Sequence, residues 1–224
     1  MIAERLTALK NELPPEVKLV AVSKFHSEAE IMEAYGAGQR LFGENRPQEL
    51  VRKASALPRD IEWHLLGHLQ TNKIRQVLPW VSLLESLDSL HLAGALEQAC
   101  AEADRVLSVL VEVHIGAEET KGGFSPDEAL LLLRCHEDYP HLRFCGLMGM
   151  ASHTDDATRI RADFELLADL HDRIRDEALQ RGDEALLASF TERSMGMSDD
   201  WRIALGCGTT LVRIGTAIFG PRNY

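Results

Sequence analysis

The feature that most constrains this chain is alternation. Eight apolar, strand-like runs are predicted: Val17–Lys24, Arg40–Asn45, Glu62–Gly67, Val81–Leu87, Val106–Ile115, Leu142–Ala151, Ala188–Met195 and Thr210–Phe219. Helical patterns separate them, at Glu28–Tyr35, Pro47–Ala56, Thr71–Leu78, from Asp88 or Ser89 to Ala103, from Pro126 to Glu137, and at Asp156–Gln180 and Asp199–Leu205; a further helix at 2–12 precedes the first strand. Pro47 at a first turn and Ser125-Pro126-Asp127-Glu128 are helix-start signals. Strand and helix in strict alternation imply parallel pairing through crossovers. Eight such units predict an α/β chain closed as a (β/α)8 (TIM) barrel with an additional N-terminal helix, compact at 224 residues. A doubly wound open sheet is the alternative. With no low-complexity segment or flexible linker, residues 1–224 read as one domain.

Composition narrows the partners. There are 35 acidic against 24 basic residues, a net charge of −11, which disfavours nucleic acid and anionic membranes because both reward clustered Lys and Arg. The first 16 residues lack the apolar core of a signal peptide, and no stretch approaches 18 uninterrupted apolar residues. Cys100, Cys135, Cys145 and Cys207 are scattered without a CxxC pair, and read as reduced, mostly buried residues of a cytoplasmic protein. No long apolar surface stripe stands out, so a monomer is expected.

A closed barrel gathers every strand's C-terminal end at one face, where active sites sit. Lys24 shares a strand face with Val20 and Val22; taken alone it reads as a lysine that bends its head into water. Arg213 stands between Val212 and Ile214, and taken alone reads as an edge-strand arginine in a surface ion pair. Closure of strand eight onto strand one makes the two cations close neighbours, which repel unless an anion or a neutral lysine intervenes. Barrels frequently seat phosphate near strands seven and eight, and Ser198, Gly215 and Thr216 stand there. A phosphorylated aldehyde condensing with a desolvated, neutral Lys24 as a Schiff base satisfies this set.

Eight stretches then carry a resemblance: "AVSK", "LFGEN…QE", "WHLLGHLQTNK", "ESLDS", "EETKGGF", "GLMGM", "SMGMSDDW" and "VRIGTAIFGPRNY", in order from residue 21 to 224. The chain resembles the pyridoxal phosphate homeostasis proteins, whose barrel is like the N-terminal domain of alanine racemases. The resemblance implies pyridoxal 5′-phosphate carried on Lys24, its phosphate held by Ser198, Gly215 and Thr216, with Arg213 facing the pyridine nitrogen and Asn45 beside the ring. Met148 and His68 would be pocket walls. His114, where asparagine is expected, and Arg46-Pro47 depart from the pattern, outside the named set.

The implied function is a carrier or buffer of the cofactor, passing it to pyridoxal-dependent apo-enzymes and so touching amino-acid metabolism indirectly. Arginine does not give up its proton, so opposite the ring nitrogen it would weaken the ring as an electron sink. Racemases add a tyrosine from a second domain; the end at Tyr224 leads us to expect none here. A one-domain racemase-type enzyme with weak activity is the alternative. Zinc on His64 and His68 is disfavoured, because the pair straddles a strand end where the rings diverge. Lys121 lacks the order of a phosphate loop and reads as a solvated loop residue. Met195 and Met197 read as packing, and Asp155-Asp156 and Asp199-Asp200 as helix first-turn carboxylates.

Overall fold

In the computed structural model, residues 1–118 and 122–221 are described; Lys121 and Tyr224 lie outside them. The eight strands close in chain order, all parallel: β1 (Lys18–Val22), β2 (Leu41–Glu44), β3 (Glu62–Leu65), β4 (Val81–Leu87), β5 (Leu107–Val113), β6 (Leu142–Gly149), β7 (Glu192–Ser194) and β8 (Leu211–Ile214). The open-sheet alternative falls with the pairing of β1 to β8, in which Val20 stands opposite Arg213.

Among the described residues ten α-helices accompany them: α1 (Ile2–Glu12), α2 (Glu28–Gly36), α3 (Pro47–Ala56), α4 (Ile74–Val77), α5 (Leu90–Glu102), α6 (Pro126–Arg134), α7 (Ala157–Arg181), α8 (Glu184–Ser189), α9 (Trp201–Leu205) and α10 (Thr216–Phe219). Their starts are written in the sequence. Ser27 and Ser125 form capping boxes with Glu30 and Glu128. Ser89, and not Asp88, caps α5 by accepting from Leu92 N–H. Along α7, Ile160, Phe164, Leu167, Leu170 and Ile174 recur at helical spacing and are buried.

Two corrections to the predicted elements concern the strands on the phosphate side. The run 188–195 opens on the last two residues of helix α8, and only three of its residues, Glu192–Ser194, form a strand. The last strand stops at Ile214, and Thr216–Phe219 turns into helix α10. Apolar composition alone does not separate a short buried strand from a short buried helix.

Hydrophobic burial divides as the pleat requires. The larger cluster lies between the barrel wall and the helices. The smaller one, Val20, Leu83, Leu110, Met148 and Leu211, is the packed barrel interior. Gly146 has a positive φ of 152° at a register shift between β5 and β6, and a Cβ there would fall 1.8 Å from the Glu192 carbonyl oxygen. Only glycine permits that approach.

Candidate functional site

Above the apolar interior, at the C-terminal ends of the strands, lies a cavity of about 290 Å³. Lys24 enters it two residues past the end of β1, Asn45 just past β2, and Met148 from β6. Ser198 comes from the loop before α9, Arg213 from β8, and Gly215 and Thr216 from the β8–α10 junction. Val22, Leu66, Met150 and Met197 complete an apolar wall, with Asp199 beside Ser198. Seven of the eight expected residues thus meet in one cavity.

His68 does not line it. Its side chain is 67% exposed, with Nδ1 at 2.5 Å from Asp88 Oδ2. His64, four residues earlier, points the other way, its Nδ1 2.6 Å from the buried Glu85. The two rings therefore do not share a ligand site, and among the described residues no cluster of His, Cys, Asp or Glu is arranged to hold a metal.

Lys24 and Arg213 line the same cavity at different depths. Arg213 stands opposite Val20, so Lys24 lies four residues further along the first strand's path. The two cations expected as close neighbours thus share one cavity, with their backbone positions offset along the strands. Arg213 is only 5% exposed and lies in the wall of the barrel interior, not in a surface ion pair. It donates to Ser194 Oγ through Nη1 and to the Gly149 carbonyl oxygen through Nη2 at 3.1 Å. Glu85 supplies the compensating anion, its Oε2 3.7 Å from Nη1. Ser194 Oγ also donates to that Oε2, at 2.6 Å. Burial alone would raise the Glu85 carboxyl, but His64, Arg213 and Ser194 together hold it below its ordinary value. The arginine is thereby fixed by a chain of buried groups from β3, β4 and β7.

Two further acids stand near Arg213. Glu112 on β5 is pushed up to about 7, by burial first and by Asp88 second, against the pull of Arg213 and His68. Burial raises Asp200 as well, although it accepts the Met197 N–H at 2.5 Å. At the junction that follows β8, a Cβ on Gly215 would stand 3.1 Å from the Val22 carbonyl oxygen, so a glycine lets the last strand close tightly on the first.

Comparisons with known proteins bear on the family and the fold. The family model described as "Alanine racemase, N-terminal domain" matches residues 1–223. A pyridoxal phosphate homeostasis protein of Aquifex aeolicus (strain VF5) is 36% identical over 208 residues, which is 92% of this chain and 88% of that protein. The chain belongs to this family. Among solved structures, PipY of Synechococcus elongatus PCC7942 without PLP superposes with a TM-score of 0.91 at 38% identity, covering 98% of this chain and 100% of that one. The same protein with PLP bound gives 0.87 at 37%, with the same coverage.

Several of the stretches that carried the resemblance converge here: "AVSK" delivers Lys24, "LFGEN" Asn45, "GLMGM" Met148 and Met150, "SMGMSDDW" Ser198, and "VRIGT" Arg213 with Gly215 and Thr216. Sequence reasoning missed Glu85 and Ser194, which fix the arginine. The signal was present: Glu85 sits inside the apolar run "VSLLESL" just as Arg213 sits inside "LVRI". Two charges of opposite sign, each inside a buried strand, are expected to find one another. The cysteines are less buried than expected, with Cys135 exposed and Cys145 half-buried, and all four are free.

Proposed function

We propose that this chain binds pyridoxal 5′-phosphate at the cavity, on Lys24, and serves as a carrier or buffer of that cofactor. The observation that carries the reading is the donor set. One cavity holds a primary amine, an arginine with its charge already balanced, two hydroxyls, an amide and apolar walls. That set fits a phosphorylated aromatic aldehyde. The Ser198 and Thr216 hydroxyls would hold the phosphate with the Gly215 junction, and Asn45 and Met148 would flank the ring.

Bound pyridoxal phosphate supplies an aldehyde that an amine captures and a ring that withdraws electrons. Arg213 donates hydrogen bonds and does not accept them, so it leaves a ring nitrogen beside it without a proton. Glu85, being lowered, holds a negative charge against Arg213 and does not serve as a proton source for the ring. Both features argue for holding the cofactor over using it on amino acids, in keeping with the relatives' description as homeostasis proteins.

The same reading takes residues 1–224 as one domain, acting as a monomer in the cytoplasm and handing its cofactor to apo-enzymes. Among the described residues no helix is long and apolar enough to cross a membrane. The test is turnover. Purified protein given alanine or serine should show no reaction above heat-killed and Lys24→Ala controls, while still taking up the cofactor. Robust turnover that Lys24→Ala abolishes would make it a one-domain enzyme instead.

A further inference from the structure

Behind Lys24, on the side of β1 away from the cavity, the structure holds a buried ion cluster. Lys53 of α3 is 0% exposed, as is Glu44 at the end of β2. The Lys53 ammonium donates to three oxygens: Glu44 Oε1 at 2.7 Å, Glu49 Oε1 at 2.8 Å and the Ser23 carbonyl oxygen at 2.8 Å. Its three protons are thereby all matched. Ser23 Oγ donates to Glu44 Oε1 at 2.6 Å, and the Phe25 N–H donates to Glu49 Oε1 at 2.8 Å.

These contacts single out one residue. The Ser23 carbonyl belongs to the peptide group before Lys24, and the Phe25 N–H belongs to the peptide group after it. Lys53 grips the first and Glu49 the second, and the two grips are joined by an ion pair. With both flanking peptide planes fixed, the direction in which the Lys24 side chain leaves the backbone is fixed as well. Phe25, next in the chain, has a φ of +68°, a conformation that costs a non-glycine residue energy and persists only where its surroundings impose it. Burying a lysine this completely is itself expensive unless every proton is paired. An apolar residue at position 53 would fill the space between α3 and the barrel wall without that cost.

We propose that Lys53 and Glu49 are positioning residues that aim the Lys24 amine into the cavity. The proposal rests on Lys24 being the cofactor-bearing lysine. Positioning of the amine affects capture of an aldehyde and leaves recognition of phosphate and ring untouched, because Ser198, Thr216 and Arg213 lie on other elements.

The experiment compares two ligands, pyridoxal 5′-phosphate and pyridoxine 5′-phosphate, which has an alcohol in place of the aldehyde. Equilibrium affinities are measured for the native protein, Lys24→Ala, Glu49→Ala and Lys53→Met. Glu49→Ala removes the grip on Phe25 while leaving the Lys53–Glu44 pair in place, so it keeps the test informative if Lys53→Met does not fold. The expected result is a loss of tenfold or more in aldehyde affinity for Glu49→Ala, with the alcohol bound within twofold of native. Borohydride trapping on Lys24 should slow in parallel. Equal losses for both ligands would make the cluster merely structural, and unchanged affinities would remove its role; either overturns the inference. Lys24→Ala is the control for the underlying reading. If it leaves aldehyde and alcohol affinities as in the native protein, the reading of Lys24 fails and the inference fails with it. If it loses the aldehyde alone, a negative result for Glu49→Ala is charged to the positioning argument only.

Discussion

Replacing Glu85 by glutamine removes the charge that balances Arg213 inside the barrel. Two unit charges 3.7 Å apart attract by about 4–5 kcal/mol at an effective dielectric constant of roughly 20. Breaking a buried pair by deleting one member typically costs about 3–5 kcal/mol, because the other charge is left uncompensated. Glutamine retains one acceptor for Ser194 or His64, so the lower end, about 3 kcal/mol, is expected for Glu85→Gln. Arg213→Met leaves Glu85 with His64 and Ser194 and should cost a similar amount. The double variant carries neither charge and should fall short of the sum by about 2 kcal/mol. Urea unfolding monitored by circular dichroism, with slopes checked for constancy, measures each term. The Glu85 carboxyl is held below its ordinary 4.5 in the folded protein. Its contribution is complete above that pH and is lost as pH falls through the folded value, an acid-side slope that Glu85→Gln should lack. Concentrated salt should change the coupling little, since the pair is buried. Strict additivity of the two single variants, or a loss below about 1 kcal/mol for Glu85→Gln, would refute the reasoning.

Removing the hydroxyls of Ser198 and Thr216 together should weaken pyridoxal phosphate far more than unphosphorylated pyridoxal, at about 1.5–3 kcal/mol for each lost hydrogen bond to a charged group; parallel losses in titration calorimetry would assign them to the fold. Glu112 carries a proton in the folded state that the unfolded chain gives up between its ordinary 4.5 and about 7. Stability should therefore fall as pH rises through that window. Glu112→Gln should flatten the profile and exceed the native protein by about 1–3 kcal/mol above pH 7, and an unchanged profile in urea titrations would count against the burial argument.

The barrel was legible because each strand and most helices carry their own local signals, as at Ser27, Pro47 and Ser125. Closure followed from the count. Legibility failed where elements are short: the stretch from 184 to 194 holds a helix and a strand too brief for either period to declare itself. The cavity was legible through residues that break a pattern, Lys24 beside two valines and Arg213 within an apolar run, and through the motif resemblance. What could not be read was register. Lys24 and Arg213, expected as close neighbours, do line one cavity, but Arg213 stands opposite Val20 in the β1–β8 pairing and is held by Ser194 and Glu85. His68 was placed at the wall by its motif, whereas its proximity to Asp88 turns it to the rim. Lys53 gave no signal, since a lysine on an amphipathic helix next to Arg52 reads as a solvated face.

The central claim is that Lys24 is the residue that carries the cofactor. Protein incubated with pyridoxal 5′-phosphate, reduced with borohydride and digested, then mapped by mass spectrometry, addresses it directly. A pyridoxyl group on the peptide containing Lys24, absent from Lys24→Ala, is the predicted result. Labelling confined to Lys18, Lys73 or Lys121, or equal labelling of native protein and Lys24→Ala, would contradict it.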